Sequence, residues 1–208
     1  MTVVEVKHPL VQHKLSYLRD RATPTVHFRK LVEEVTLLLT YEATMDLPTE
    51  EVEIETPLEV APMPRISGKK VAVCPILRAG LGMLDGVLDL ISGARVGFIG
   101  LYRDEATLEP VEYYVKLPQD IAERDVILLD PMLATGNSTA HAVRLVREAG
   151  ASSVRLIAII AAPEGVERVT SAYPDVRIVV AAIDRGLNEK GYIVPGLGDA
   201  GDRLYGTK

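Results

Sequence analysis

From residue 70 onward, short apolar runs alternate with stretches whose apolar residues recur at every third or fourth position. The runs at 70–74, 95–101, 126–130, 154–162 and 176–183 predict strands, and the periodic stretches at 80–91, 137–149 and 164–173 predict helices. Arg155-Leu-Ile-Ala-Ile-Ile and Arg177-Ile-Val-Val are continuous apolar runs after a single charge, a pattern of strands covered on both faces. Strand followed by helix, repeated, predicts an α/β fold: a central, mainly parallel sheet flanked by helices.

The first third of the chain reads differently. Thr23 and Pro24 stand as N-cap and first residue of a helix in which Phe28, Leu31, Val32, Val35, Leu38 and Leu39 recur with helical spacing. Residues 52–60 alternate apolar and acidic positions around Pro57, which predicts short, half-exposed strands. Residues 102–118, charged and Tyr-bearing, interrupt the strand–helix alternation and predict a hairpin, either a flexible hood over a site or a solvated turn without a role. No repeat or linker divides the chain, so a single domain is expected. It comprises an N-terminal arm with helices (1–50), a core (65–185) that includes the hairpin, and a C-terminal segment (186–208).

Composition narrows the class. At 208 residues with 48% hydrophobic content, the chain can bury a substantial core and is not a disordered polymer. A formal net charge of −6 argues against a general nucleic-acid or anionic-membrane surface, so an anionic substrate needs local Arg, backbone N–H groups or metal. The single cysteine, Cys74, excludes an intrachain disulfide and a cysteine-rich zinc site, and its apolar setting suits a buried residue rather than a nucleophile. The N-terminus lacks the pattern of a signal peptide and no apolar run reaches membrane-spanning length, which makes the cytoplasm the expected location.

The candidate chemistry centres on residues 126–139, Val-Ile-Leu-Leu-Asp-Pro-Met-Leu-Ala-Thr-Gly-Asn-Ser-Thr. Asp130 closes a buried strand, small and hydroxylic residues follow, and helical spacing resumes at Ala140, Val143, Leu145 and Val146. In open α/β sheets ligands bind beyond the carboxyl ends of the strands. A small-residue loop opening a helix there offers free N–H groups and the positive end of the helix dipole to a phosphate. An acid beside it suits a hydroxyl-bearing group, and together they suggest a sugar phosphate. On this segment alone, a helix capped by Thr135 or Ser138 with no ligand is an equal reading.

This loop resembles the phosphoribosyl-pyrophosphate (PRPP) loop of the type I phosphoribosyltransferases, and Asp130-Pro131-Met132-Leu133-Ala134-Thr135-Gly136 is similar to the uracil phosphoribosyltransferase branch. Leu129 stands where many relatives carry a second acid, and Asn137 stands where a second glycine is common; Asn tolerates left-handed backbone. The resemblance runs from about residue 65 to the C-terminus. It implies PRPP contacts from Asp130 to Ser138, that is Asp130, Pro131, Met132, Leu133, Ala134, Thr135, Gly136, Asn137 and Ser138. The 5′-phosphate would lie on the amides of 134–138 and the hydroxyls of Thr135, Ser138 and Thr139, with Asp130 facing the ribose.

Three further segments carry the resemblance. Cys74-Pro-Ile-Leu-Arg-Ala-Gly80 matches the pyrophosphate loop, implying that Arg78 contacts the diphosphate and that a non-proline cis peptide lies nearby. Arg103 matches a second diphosphate contact, although Asp104 and Glu105 offer it a local ion pair. The stretch from Tyr192 to Thr207 mixes glycines with apolar and aromatic residues and reads as packed. By resemblance it recognises uracil through main-chain groups at Ile193, Gly198, Asp199 and Ala200, with Asp199 also near the ribosyl end of PRPP.

The implied reaction joins uracil to PRPP and yields UMP and diphosphate. Asp130, Arg103 and Asp199 are the implied catalytic residues, and the hood would exclude water. Mg²⁺ is the implied cofactor, held by substrate and water rather than by a protein motif. Whether Asp199 or the site's stabilisation of a uracil anion deals with the N1 proton stays open. GTP as an effector and a homodimer or higher homo-oligomer are expected; nucleic acid and membrane are not expected as partners. Two glycine patterns are set aside. Gly196-Leu-Gly-Asp-Ala-Gly has too little chain after it for a helix and acid to complete a dinucleotide fingerprint, and Gly80-Leu-Gly82 lacks its third glycine. The four histidines are scattered without metal-ligand spacing, and His141 reads as a helix-surface residue.

Overall fold

The structure, a computed structural model, describes residues 2–68, 71–103 and 110–207; the Arg103 side chain and the tip of the predicted hood, 104–109, lie outside the described residues. In chain order the elements begin with β1 (Val3–Glu5), α1 (Pro9–Arg19), α2 (Thr25–Ala43), β2 (Thr49–Glu55) and β3 (Val60–Ile66). Next come β4 (Val71–Leu77), a 3₁₀ turn (Ala79–Met83), α3 (Leu84–Leu90), β5 (Arg95–Val96), β6 (Phe98–Arg103) and β7 (Pro110–Lys116). A 3₁₀ turn (Ile121–Glu123) leads to β8 (Asp125–Leu129), β9 (Met132–Leu133), α4 (Asn137–Glu148), β10 (Ser153–Ala161), α5 (Pro163–Ala172) and β11 (Arg177–Ile183). The chain closes with β12 (Gly186–Leu187), β13 (Ile193–Val194) and α6 (Ala200–Tyr205).

The main sheet runs β1-β11-β10-β8-β4-β6-β7, with β5 added to β4 and β9 to β10. Its pairings are parallel except for β6 with β7, so the predicted mainly parallel α/β sheet is the one formed. Side chains alternate between faces along a strand. Val71, Val73, Ile127, Leu129, Ile157, Ile159, Val179 and Ala181 enter the core beneath α1, α2, α3 and α6. Their neighbours Ala72, Cys74, Val126, Leu128, Leu156, Ala158, Ile178 and Val180 enter the core beneath α4 and α5. Apolar side chains on both parities therefore explain the unbroken runs in the sequence.

Several local boundaries differ from the pattern. The N-terminal arm contains β1, which lies parallel to β11, and α1. Pro24, not Thr23, is the N-cap of α2, and the Thr23 hydroxyl donates instead to the Tyr17 carbonyl. The 80–91 helix is divided into the Ala79–Met83 turn and α3, while Gly97 separates β5 from β6 and donates its N–H to the Val73 carbonyl. A short helix, α6, begins inside Gly196-Leu-Gly-Asp-Ala-Gly at Ala200, where Asp199 caps it through the Asp202 N–H. The 102–118 segment contributes β7 to an antiparallel hairpin with β6, and its tip falls outside the described residues. β2 and β3 form a separate hairpin with Leu58, Val60, Met63 and Ile66 exposed.

Candidate active site

The parallel strands β4 and β8 end side by side, and both chain segments that follow them turn into one cleft of about 230 Å³. Arg78 and Ala79 come from the first segment; Asp130, Met132, Ala134, Thr135, Gly136, Ser138 and Thr139 come from the second. Their approach requires Gly80. A β-carbon there would lie 2.2 Å from the Leu129 carbonyl oxygen, a distance that real contacts do not tolerate. The Leu77–Arg78 peptide bond is cis, as the resemblance implied.

After β8 the backbone does not leave the sheet at once. Asp130 N–H donates to Ile157 O, Pro131 O accepts from Ile159 and Ile160, and β9 pairs with β10. The chain then turns through Gly136, whose φ of +79° is the left-handed region that glycine enters freely, and α4 begins at Asn137. Left-handed geometry thus falls on Gly136, and Asn137 is helical. The N-cap residue is Gly136, which has no side chain with which to cap the helix. The first intrahelical bond is Ala140 N–H to Gly136 O, so the N–H groups of residues 136–139 are left without intrahelical acceptors. They are oriented donors beside the cleft, at the positive end of α4.

Asp130 lies half-buried below them. It accepts from Met132 N–H at 3.2 Å and from the Thr139 hydroxyl at 3.4 Å. Desolvation nonetheless outweighs these bonds and pushes its carboxyl up to about 6. Arg78 is exposed at the opposite wall, and among the described residues its guanidinium makes no hydrogen bond or ion pair. Its own carbonyl accepts the Tyr205 hydroxyl at 2.9 Å, which ties α6 to the cleft. Sequence reasoning did not single out Tyr205 for this contact. A cation, a row of amides and one acid make the cleft suited to an anion carrying hydroxyl groups, despite the net negative chain.

The other predicted residues lie around this centre. Pro131 and Leu133 are buried, and Leu133 O accepts from Ala162. Asn137 lines a neighbouring groove with His141, Arg144, Arg168 and Tyr173; His141 is half-buried and within 3.4 Å of Arg144. Arg103 ends β6, two residues after Leu101, which lines the cleft. Gly198 and Asp199 open onto a second hollow of about 390 Å³ with Arg21, Tyr192 and Arg203. Ile193 and Ala200 bury their side chains, so the C-terminal segment is packed. Gly201 joins the two regions, since a β-carbon there would lie 3.3 Å from Asp199 Oδ1 and 3.9 Å from the Ala79 β-carbon.

Cys74 is fully buried on β4, and desolvation pushes its thiol up to about 12, which removes it as a nucleophile at neutral pH. Among the described residues no helix is long and apolar enough to cross a membrane.

Comparison with known proteins places this site in context. The family model described as uracil phosphoribosyltransferase matches residues 4–207. A uracil phosphoribosyltransferase of Clostridium beijerinckii is 60% identical over 206 residues, covering 99% of each chain. The solved AQ2163 protein from Aquifex aeolicus superposes with a TM-score of 0.93 at 41% identity, over 98% of this chain and 97% of that one. At 13% identity and a TM-score of 0.52, the adenine phosphoribosyltransferase of Trypanosoma brucei shares the fold over 80% of this chain and 68% of its own. A match over nearly every residue establishes that the chain with this cleft at the ends of β4 and β8 belongs to the uracil phosphoribosyltransferase family.

Proposed function

We propose that the cleft holds PRPP and that the neighbouring C-terminal segment presents uracil to it, giving UMP and diphosphate. The reaction forms the bond between uracil N1 and ribose C1′, breaks the bond from C1′ to the diphosphate oxygen, and releases the N1 proton. The carrying observation is that the uncapped amides of residues 136–139 border the same cleft as Arg78 and Asp130.

Each group has a part that follows from its chemistry. The amides of residues 136–139 and the hydroxyls of Thr135 and Ser138 suit the 5′-phosphate, whereas the Ala134 N–H, expected from the resemblance to join them, is taken by the Met132 carbonyl. Asp130 suits the ribose hydroxyls, to which an ionised carboxylate is a strong acceptor. Arg78 and Arg103 suit the diphosphate, because a guanidinium stays charged and donates through a planar fork. Catalysis is then positioning together with stabilisation of charge on the departing group. Asp199 has Oδ1 engaged by the α6 cap, which leaves its second oxygen for the ribosyl end or the N1 proton.

Among the described residues no group of three or more His, Cys, Asp or Glu converges as a metal site. A cleft with Asp130 as its lining carboxylate fits Mg²⁺ held mainly by substrate phosphates and water. When bound, the ion neutralises charge on the diphosphate. A homodimer or higher homo-oligomer fits the β2–β3 hairpin, where Leu58 is 95% exposed beside Val60 and Met63. GTP as an effector rests on the resemblance alone.

The test is PRPP-dependent turnover with Mg²⁺, offering uracil, cytosine, orotate, hypoxanthine and adenine in parallel, with and without GTP. UMP from uracil alone supports the whole reading. Turnover with another base would retain the PRPP cleft and discard the assignment of residues 193–200.

A further inference from the structure

Arg19 and Asp184 are far apart in sequence, and neither belongs to the PRPP cleft. Arg19 ends α1, and Asp184 follows β11, where its N–H donates to Ala161 O. The two form a fork-to-fork pair: Arg19 Nη2 to Asp184 Oδ1 at 2.6 Å and Nη1 to Oδ2 at 2.8 Å. The Asp184 side chain is 5% exposed, so this is an ion pair largely removed from water.

The pair grips one residue of the C-terminal segment from both sides. Arg19 Nη1 donates to the Gly196 carbonyl at 2.8 Å, while Asp184 Oδ2 accepts the Gly196 N–H at 2.9 Å. Arg203 holds the next peptide. It donates to Leu197 O at 2.8 Å, to Asp20 O and to Leu18 O, with its guanidinium 4.2 Å from the centre of the Phe28 ring. The backbone between Ile193 and Ala200 is therefore fixed at its midpoint to the end of a helix and the end of a strand.

We infer that the Arg19–Asp184 pair positions the base-reading backbone, and so sets the affinity for the pyrimidine without touching it. This rests on the proposed reading of Ile193 and Gly198 to Ala200 as the uracil site. Recognition by main-chain groups requires that their donors and acceptors be held in register with the base, because these groups have no side-chain rotamers with which to adjust. An Arg at this place satisfies two carboxylate oxygens and a carbonyl at once. A lysine ammonium retains the charge but lacks the planar fork.

The experiment compares wild type with Arg19→Lys, keeping the charge opposite Asp184. The expected result is a uracil KM raised about tenfold, a PRPP KM within twofold, and a kcat at saturating uracil within threefold. Asp184→Asn, which retains the shape and an acceptor for Gly196, should shift uracil KM in the same direction and serves if the lysine variant does not fold. General loosening would instead move both KM values and kcat together, which would overturn the inference, as would unchanged uracil KM in both variants. Hydrogen exchange of residues 193–200 in wild type, with and without UMP, separates the two levels. Protection by UMP together with unchanged uracil KM in the variants defeats only the positioning role. No protection by UMP defeats the base-site reading and the inference with it.

Discussion

The hydroxyl of Tyr205 donates to the carbonyl of Arg78 at 2.9 Å, joining the last helix to the loop that carries the cleft's exposed guanidinium. Burial raises the Tyr205 phenol above its ordinary range, so it remains a donor through neutral pH. Tyr205→Phe removes this bond while keeping the ring. The expected loss is about 1 kcal/mol of stability, with a fall of roughly three- to tenfold in kcat/KM for PRPP. Chemical denaturation and initial rates measure both; unchanged kinetics would make the bond purely structural.

Asp130 ties pH to both stability and activity. Its folded-state value of about 6 exceeds the ordinary 3.8, so the folded protein holds the proton more tightly than the unfolded chain does. The resulting stabilisation is fully present below about 4 and is lost as pH rises through about 6. At neutral pH the buried charge then costs at most about 3 kcal/mol, and Asp130→Asn should raise the melting temperature of the ligand-free protein there. The same substitution should reduce turnover by roughly a hundredfold or more by removing the ribose contact. In wild type, kcat/KM for PRPP should fall below pH 6 as the carboxylate protonates. An Asn variant that is less stable at pH 8 would contradict the desolvation argument.

Arg78→Lys tests the fork rather than the charge. The variant should raise the PRPP KM or lower kcat so that kcat/KM falls roughly 10- to 100-fold, while uracil KM changes less. Wild-type kinetics would remove Arg78 from the diphosphate.

Gly80 is a packing test of the same loop. A β-carbon 2.2 Å from Leu129 O forces the loop that carries Arg78 away from β8. Gly80→Ala should cost about 1–3 kcal/mol and lower the melting temperature by roughly 2–10 °C, with PRPP binding weakened as the cleft walls separate. Calorimetric melting of the two proteins decides it.

The sheet was legible because Val126 to Leu129, Leu156 to Ile160 and Ile178 to Ala181 are apolar on both parities, and burial on two faces leaves no other pattern. The loop between β8 and α4 was legible as well, since small residues between a buried strand and an amphipathic helix are a local feature. Elements whose formation depends on distant partners were not. β1 is three residues long and exists by pairing with β11, and α6 is six residues long and held by Asp199 and Arg203. Gly136 rather than Asn137 takes the left-handed turn because α4 already includes Asn137 as its first residue. Arg19 and Asp184 carry no local signal at all: they meet across 165 positions of sequence, and an arginine ending a helix reads as a surface residue.

In the proposed reading one molecule spans both hollows, with its phosphate on the amides of residues 136–139 and its base on residues 193–200. A crystal structure with UMP and diphosphate bound tests this most directly. The expected structure has the 5′-phosphate within hydrogen-bond distance of those amides, the ribose hydroxyls at Asp130, diphosphate at Arg78, and uracil paired with backbone groups of Ile193 and Ala200. A 5′-phosphate bound away from the start of α4, or a base held by side chains elsewhere, would contradict it.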